Sequence, residues 1–125
     1  MFVQVFPRMA DQKYAAIVNE INENRAKLQT QYDLLRQFTA QKSENESVKK
    51  EFEILEPSGV IWKLVGPVMV KQDRDEARVN VDKRIEFITG DIAKAEEAIK
   101  ILENEFEVKR EELMKLQESA TPATA

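Results

Sequence analysis

The sequence predicts a mainly α fold: a long antiparallel two-helix coiled coil joined by one β-hairpin that assembles between subunits into a β-barrel. Three observations lead there. The chain has 125 residues, of which only three are Gly and four are Pro, so it has few places to turn. Charged residues make up 34%, above the roughly 25% of an ordinary globular domain, and apolar residues 42%. Apolar residues also recur in steps of three and four over two long stretches, separated by a short β-branched and aromatic segment.

The first stretch runs over 11–56, after a segment, 1–10, expected to be flexible. With Tyr14 at heptad position a, the a positions are Tyr14, Ile21, Leu28, Leu35, Lys42 and Lys49. The d positions are Ile17, Asn24, Gln31, Phe38, Asn45 and Phe52; seven of the twelve are apolar. No Gly or Pro falls between Ala10 and Glu56. About 45 uninterrupted residues far exceed the mean helix of about 11–12. The expected element is a long helix whose seam is loosened by polar residues at 24, 31, 42, 45 and 49.

Residues 57–72 break that pattern. Glu56-Pro57-Ser58-Gly59 is a helix stop and turn. Val60-Ile61-Trp62-Lys63-Leu64-Val65, Gly66-Pro67 and Val68-Met69-Val70-Lys71-Gln72 then read as strand, two-residue turn and strand. Gly66 supplies positive φ at the first turn position. The implied register pairs Val65 with Val68, Leu64 with Met69 and Lys63 with Val70. One face then carries Trp62, Leu64 and Met69, and the other Ile61, Val65, Val68 and Val70. Both faces are mostly apolar.

The last helix is expected over 73–118. Asp73-Arg74-Asp75-Glu76 has the form of a capping box. Its a positions are Ile85, Ile92, Ile99, Phe106 and Leu113; its d positions are Val81, Ile88, Ala95, Leu102, Lys109 and Leu116. Ten of these eleven are apolar. Gly90 falls at f, on the outer face, at a cost of about 1 kcal/mol relative to Ala. Residues 119–125 read as a disordered tail by composition.

Two helices of roughly 45 residues would each be about 65 Å long, against about 35 Å for a compact globule of this size. The reversal at the hairpin makes them antiparallel, with the chain ends at one tip. A two-stranded hairpin alone is marginal in water, and its two unpaired edges invite another chain. Assembly into a shared sheet or barrel removes the edges. The competing arrangement folds the hairpin back on its own helices.

The composition also excludes chemistry. There is no His and no Cys, which removes imidazole bases, thiol nucleophiles, disulfides and the usual zinc ligands. The net charge of −4 offers no basic face to nucleic acid. No apolar run of 18 residues exists, so no membrane span is expected. The apolar opening Met1–Met9 is too short for a signal peptide and lacks its cleavage site, and Met9 is an alternative start. Asn45-Glu46-Ser47 matches a glycosylation acceptor but sits mid-helix. Glu96-Glu97 and Glu111-Glu112 diverge by about 100° on a helix and share no site. Lys49-Lys50, Lys83-Arg84 and Lys109-Arg110 suit surface ion pairs. Gly59 and Gly66 form no phosphate loop, and no catalytic, metal or cofactor constellation is expected.

Residues 58–73, Ser-Gly-Val-Ile-Trp-Lys-Leu-Val-Gly-Pro-Val-Met-Val-Lys-Gln-Asp, closely resemble the hairpin of the prefoldin family. So does the continuation over 76–88, Glu-Ala-Arg-Val-Asn-Val-Asp-Lys-Arg-Ile-Glu-Phe-Ile. The likeness covers about 10–118. A single hairpin fits between Pro57 and Asp73, which is similar to the β-class subunits; α-class subunits carry two. The resemblance implies a hetero-hexamer of two α-class and four β-class subunits, with a double β-barrel platform and six hanging coiled coils. It implies a cytoplasmic holdase that works without ATP or cofactor. Such a holdase captures unfolded actin and tubulin at the coil tips and delivers them to the cytosolic chaperonin. The assembly residues would be Val60, Ile61, Trp62, Leu64, Val65, Gly66, Pro67, Val68, Met69 and Val70.

The client-binding tip expected from the residues is Tyr14 and Ile17 with Phe106, Leu113, Met114 and Leu116. Phe2, Val5, Phe6 and Met9 would join from the N-terminal segment. Lys109 at a d position is expected to loosen the last heptads and turn their apolar groups outward. The plainer alternative has Leu113 and Leu116 simply closing the coil. Two rival functions compete: a coiled-coil scaffold or tether without chaperone activity, and the RNA-holding helical arm of an enzyme. The charge and the lack of a catalytic domain count against the second.

Overall fold

A computed structural model describes the backbone of residues 2–120 and the side chains of residues 11–119. The chain order is α1 (Phe2–Ile54), β1 (Ile61–Val65), β2 (Val68–Gln72) and α2 (Arg74–Ala120). The chain divides into two compact units: Met1–Asp33 with Glu96–Ala125, and Leu34–Ala95.

α1 forms because nothing between Ala10 and Glu56 interrupts it and its Ala, Leu, Lys, Gln and Glu content favours helix. Residues less suited to helix interiors fold back on the preceding turn. Thr30 and Thr39 Oγ1 donate to the carbonyls of Ala26 and Leu35, and Asn45 Nδ2 donates to that of Gln41. The N-terminal segment expected to be flexible lies, from Phe2 onward, within α1. The side chains of Phe2, Val5, Phe6 and Met9 lie outside the described ones.

α1 ends at Ile54, two residues before the expected 56. Glu56 precedes Pro57, whose ring disfavours helical backbone at the residue before it. The freed carbonyls find other partners. Gly59 N–H donates to the Glu56 carbonyl at 2.8 Å. The Arg74 guanidinium reaches back to the carbonyls of Glu56 (3.0 Å) and Leu55 (2.9 Å). A Cβ on Gly59 would meet the Leu55 side chain at 2.6 Å, so this turn closes only around glycine.

The hairpin register is Ile61↔Gln72, Trp62↔Lys71, Lys63↔Val70, Leu64↔Met69 and Val65↔Val68, as expected. Gly66 has φ of 60°, the value a two-residue turn of the primed class requires at its first position. α2 begins after Asp73, whose Oδ2 accepts the Glu76 N–H at 3.3 Å. Asp75 and Glu76 add the negative charge that a helix N-terminus favours. α2 continues to Ala120, so Ser119 and Ala120, expected in the tail, are helical. No Gly or Pro lies between Gly90 and Pro122 in the sequence. Residues 121–125 lie outside the described ones.

Each unit has a seam that follows the heptads. In the unit containing both helix ends, Ile17, Asn24 and Ile99 are buried, flanked by half-buried Ile21, Leu28, Leu102 and Phe106. In the other, Ala77, Val81 and Ala95 are buried, with Leu35, Phe38, Ile85, Ile88 and Ile92 half-buried. Ala77 lies outside the heptad yet is only 2% exposed. Among the described residues no large side chain is fully buried. Two helices make a single-layer seam, and each seam residue keeps one flank toward water.

Candidate assembly and client-binding surfaces

The hairpin presents both of its faces to solvent. Trp62, Leu64 and Met69 on one face are 55%, 67% and 55% exposed; Val65, Val68 and Val70 on the other are also exposed, as is Val60 ahead of β1. Only Ile61 and Gln72, paired at the open end, are half-buried. The arrangement in which the hairpin packs on its own helices is therefore not adopted. The sheet has two strands, and each keeps an unpaired edge.

The helix-end unit is held by polar contacts across the seam. Asn24 is 6% exposed, and its Nδ2 donates to the Leu102 carbonyl at 3.0 Å, while its Oδ1 has no partner. Lys109 Nζ lies 2.7 Å from Glu20 and 3.6 Å from Glu112. Tyr32 donates its hydroxyl proton to Glu103. The Arg25 guanidinium sits 5.8 Å over the Phe106 ring. Gln117 Nε2 donates to the Tyr14 hydroxyl at 3.4 Å.

These contacts place the expected tip residues unequally. Tyr14 and Met114 are exposed, at 39% and 48%. Phe106, Leu113 and Leu116 are half-buried in the seam, and the Phe106 ring is further covered by Arg25. Ile17 is buried at 8% and offers little surface. Ile17 and Leu116 nevertheless share a shallow groove of about 480 Å³, rimmed by Lys13, Glu112 and Lys115. Lys109 does not loosen the seam. Its stem stays partly covered while its charge reaches a carboxylate on the opposite helix, which is how a lysine is accommodated beside an apolar stripe.

The electrostatics of this unit set a pH response. The Glu20 carboxylate, accepting from Lys109, raises the ammonium's pKa above its ordinary 10.5. The Glu103 carboxylate, accepting from Tyr32, holds the phenol proton and raises its pKa above 10.0. Both are folded-state values raised above unfolded ones. Their contribution is thus fully present below the ordinary pKa and lost as pH rises through the raised one. A Glu20→Gln chain is expected to melt below the native chain near neutral pH. The gap should close in the alkaline range and in about 1 M salt, where the Debye length is about 3 Å. Thermal unfolding followed by circular dichroism across pH and salt checks this. A gap that persists at high pH contradicts the role of the pair.

Among the described residues, no group of acidic side chains could hold a metal ion, and no helix is long and apolar enough to cross a membrane. Sequence reasoning missed Arg74 as a helix-end clamp and Phe87, which is 75% exposed on the outer side of α2. The only sequence signal for Phe87 is an aromatic residue at a heptad c position, where polar residues are usual.

A two-helix coil carrying one apolar hairpin with both faces open defines the class of helical-hairpin proteins with an exposed two-stranded sheet. Comparison with known proteins agrees. The prefoldin subunit family matches residues 15–120. Prefoldin subunit 6 of Arabidopsis thaliana is 38% identical over 100 residues, covering 80% of this chain and 78% of that protein. The human prefoldin subunit 6 is 42% identical, covering 72% and 70%. That of Saccharomyces cerevisiae is 39% identical, covering 86% and 89%. Among solved structures, the prefoldin β subunit of Thermococcus strain KS-1 shares the fold with a TM-score of 0.75 at 20% identity, over 88% of this chain and 94% of that one. The chain belongs to the prefoldin family, a family of chaperone subunits rather than enzymes, and membership implies assembly with other prefoldin subunits.

Proposed function

We propose that this chain is a β-class subunit of a cytoplasmic hetero-hexamer of two α-class and four β-class subunits, acting as an ATP-independent holdase. Its hairpin joins those of the other subunits in a closed barrel. Its coil tip captures unfolded actin and tubulin, and the complex hands them to the cytosolic chaperonin. The observation that carries the reading is the hairpin, whose two faces and two edges are open at once. Burying one large side chain is worth about 1.5–3 kcal/mol, and several of them left in water favour association strongly. Tyr14, Met114 and the Ile17–Leu116 groove supply weak apolar contacts at the tip. Repeated on several tips, such contacts add up to useful affinity without a shaped pocket.

The test is reconstitution with α-class and other β-class subunits. The mass should be that of a hexamer, and the complex should keep denatured actin from aggregating. Removing about two turns from both helix ends should leave the hexamer intact and abolish that protection. Unchanged protection by the truncated complex refutes the tip assignment. A dimer indifferent to denatured actin indicates a tether instead.

A further inference from the structure

Arg74 carries its charge against the rule for its place. It is the first residue of α2, and a helix N-terminus favours acids and disfavours cations. Asp75 and Glu76 follow that rule and Arg74 does not. Its guanidinium reaches instead to the end of α1, where Nη1 donates to the Glu56 carbonyl at 3.0 Å and Nη2 to the Leu55 carbonyl at 2.9 Å. α1 has no basic residue in its own last turn. Arg74 thus supplies, from across the junction, the cation that a helix C-terminus favours, and it satisfies carbonyls left free there.

These two bonds join the two legs of the hairpin, and all the residues concerned lie in the unit Leu34–Ala95. The second leg is short and stiff. β2 passes into α2 through Asp73 alone, which accepts the Glu76 N–H at Oδ2 and the Ala77 N–H at its carbonyl. The first leg, residues 55–60, is longer and belongs to neither helix nor strand. It is folded by the Gly59 N–H bond to the Glu56 carbonyl, the same carbonyl that Arg74 holds. Packing at the hairpin base is thin. Ile61 and Gln72 are only half-buried, and a cleft of about 360 Å³ opens between Phe52, Ile61, Asp73, Arg74, Asp75 and Arg78. Beyond that base every strand residue is exposed. We propose that Arg74 is a positioning residue for assembly: by tying the end of α1 to the start of α2, it holds the hairpin at one angle for the hairpins of partner subunits. A joining element that must be ordered on binding loses affinity to that ordering, and one held beforehand does not. The inference rests on the assembly reading above and adds which residue aims the joining element.

Trp62 is the one tryptophan of the chain and lies in β1. Time-resolved fluorescence anisotropy of the isolated chain therefore reports the hairpin's motion directly. Arg74→Ala should add a fast, nanosecond depolarisation at Trp62, while circular dichroism shows native helix content. Against immobilised partner subunits the same variant should bind about tenfold more weakly than the native chain. Gly59→Ala tests the brace from the other leg. Its Cβ would meet Leu55 Cγ at 2.6 Å and the Glu56 carbonyl oxygen at 3.0 Å, so it displaces the acceptors rather than the donor and should reproduce both effects. Arg74→Lys keeps the charge without the fork of two N–H groups and should fall between the native chain and Arg74→Ala in both. If Arg74→Ala lowers the helix content, the other two variants must show the paired change on their own. Unchanged depolarisation in Arg74→Ala, or native binding by a chain with a loosened hairpin, overturns the proposal and leaves the assembly reading standing. A native chain that binds no partner subunit overturns both.

Discussion

A chain carrying Trp62→Asp and Leu64→Asp is expected to keep its helices and lose its partners. Both side chains sit on one face of the hairpin, and in the isolated chain both are more than half exposed. Aspartate at either position therefore costs the lone subunit little. In an assembly the same face would lie against other hairpins. The change removes about 1.5–3 kcal/mol of apolar burial per side chain. It also buries two carboxylates without partners, at several kcal/mol each after relaxation. A combined loss above about 4 kcal/mol lowers an association constant about a thousandfold. Native mass spectrometry at micromolar concentration should show the doubly substituted chain as a monomer while the native chain enters a larger complex. Circular dichroism should show the same helix content in both. Retained assembly would mean that the hairpin is not the joining element.

The second large effect is of opposite sign. Asn24→Leu is expected to stabilise the helix-end unit by about 2 kcal/mol. Asn24 is buried at a seam d position with a satisfied Nδ2 and an unpartnered Oδ1. An unsatisfied buried acceptor costs about 1–3 kcal/mol, and the hydrogen bond it accompanies returns about 1. Leucine has the same number and branching of side-chain heavy atoms, is somewhat bulkier at a seam open to water on one flank, and adds apolar burial. Thermal unfolding should shift upward by about 4 °C per kcal/mol, the value between those of 100- and 150-residue domains. The cost should appear elsewhere. A buried asparagine holds one register at the expense of stability, and its bond to the Leu102 carbonyl ties α1 to one position on α2. Cross-linking between the helices in the substituted chain should reveal neighbouring registers. A chain that melts lower than the native one would show that the single hydrogen bond outweighs the orphaned oxygen.

Much of the fold was legible because it depends on local chemistry and simple periods. The heptads located the seam almost residue for residue: from Ile17 to Phe52 and from Val81 to Leu116, every a and d position is buried or half-buried. Gly66-Pro67 set the hairpin register, since a two-residue turn leaves one way to pair the flanking residues. The ends were less legible. Pro57 acts one residue ahead of itself and shortened α1, while composition alone could not tell the last helical turn from the tail at Ser119 and Ala120.

The surfaces were harder to read than the seam. Periodicity says that Ile17, Phe106 and Lys109 face the other helix; it does not say what they meet there. Ile17 is buried, Phe106 lies under Arg25, and Lys109 is clasped by Glu20. Each outcome depends on which residue of the opposite helix lies across, at a sequence separation of about a hundred residues or fewer. The same holds for Arg74, whose carbonyl partners lie 18 and 19 residues upstream.

By itself the sequence determined the element order, the seam, the hairpin register and the absence of imidazole and thiol chemistry. Those follow from residue type and spacing along one chain. Only the tertiary structure decided that the hairpin stands clear of its own helices with both faces open, that Asn24 and Lys109 tie the seam rather than loosen it, and that Arg74 reaches back to the end of α1. These depend on what each side chain finds across a gap in space, and a single-layer seam leaves that choice to a few facing residues.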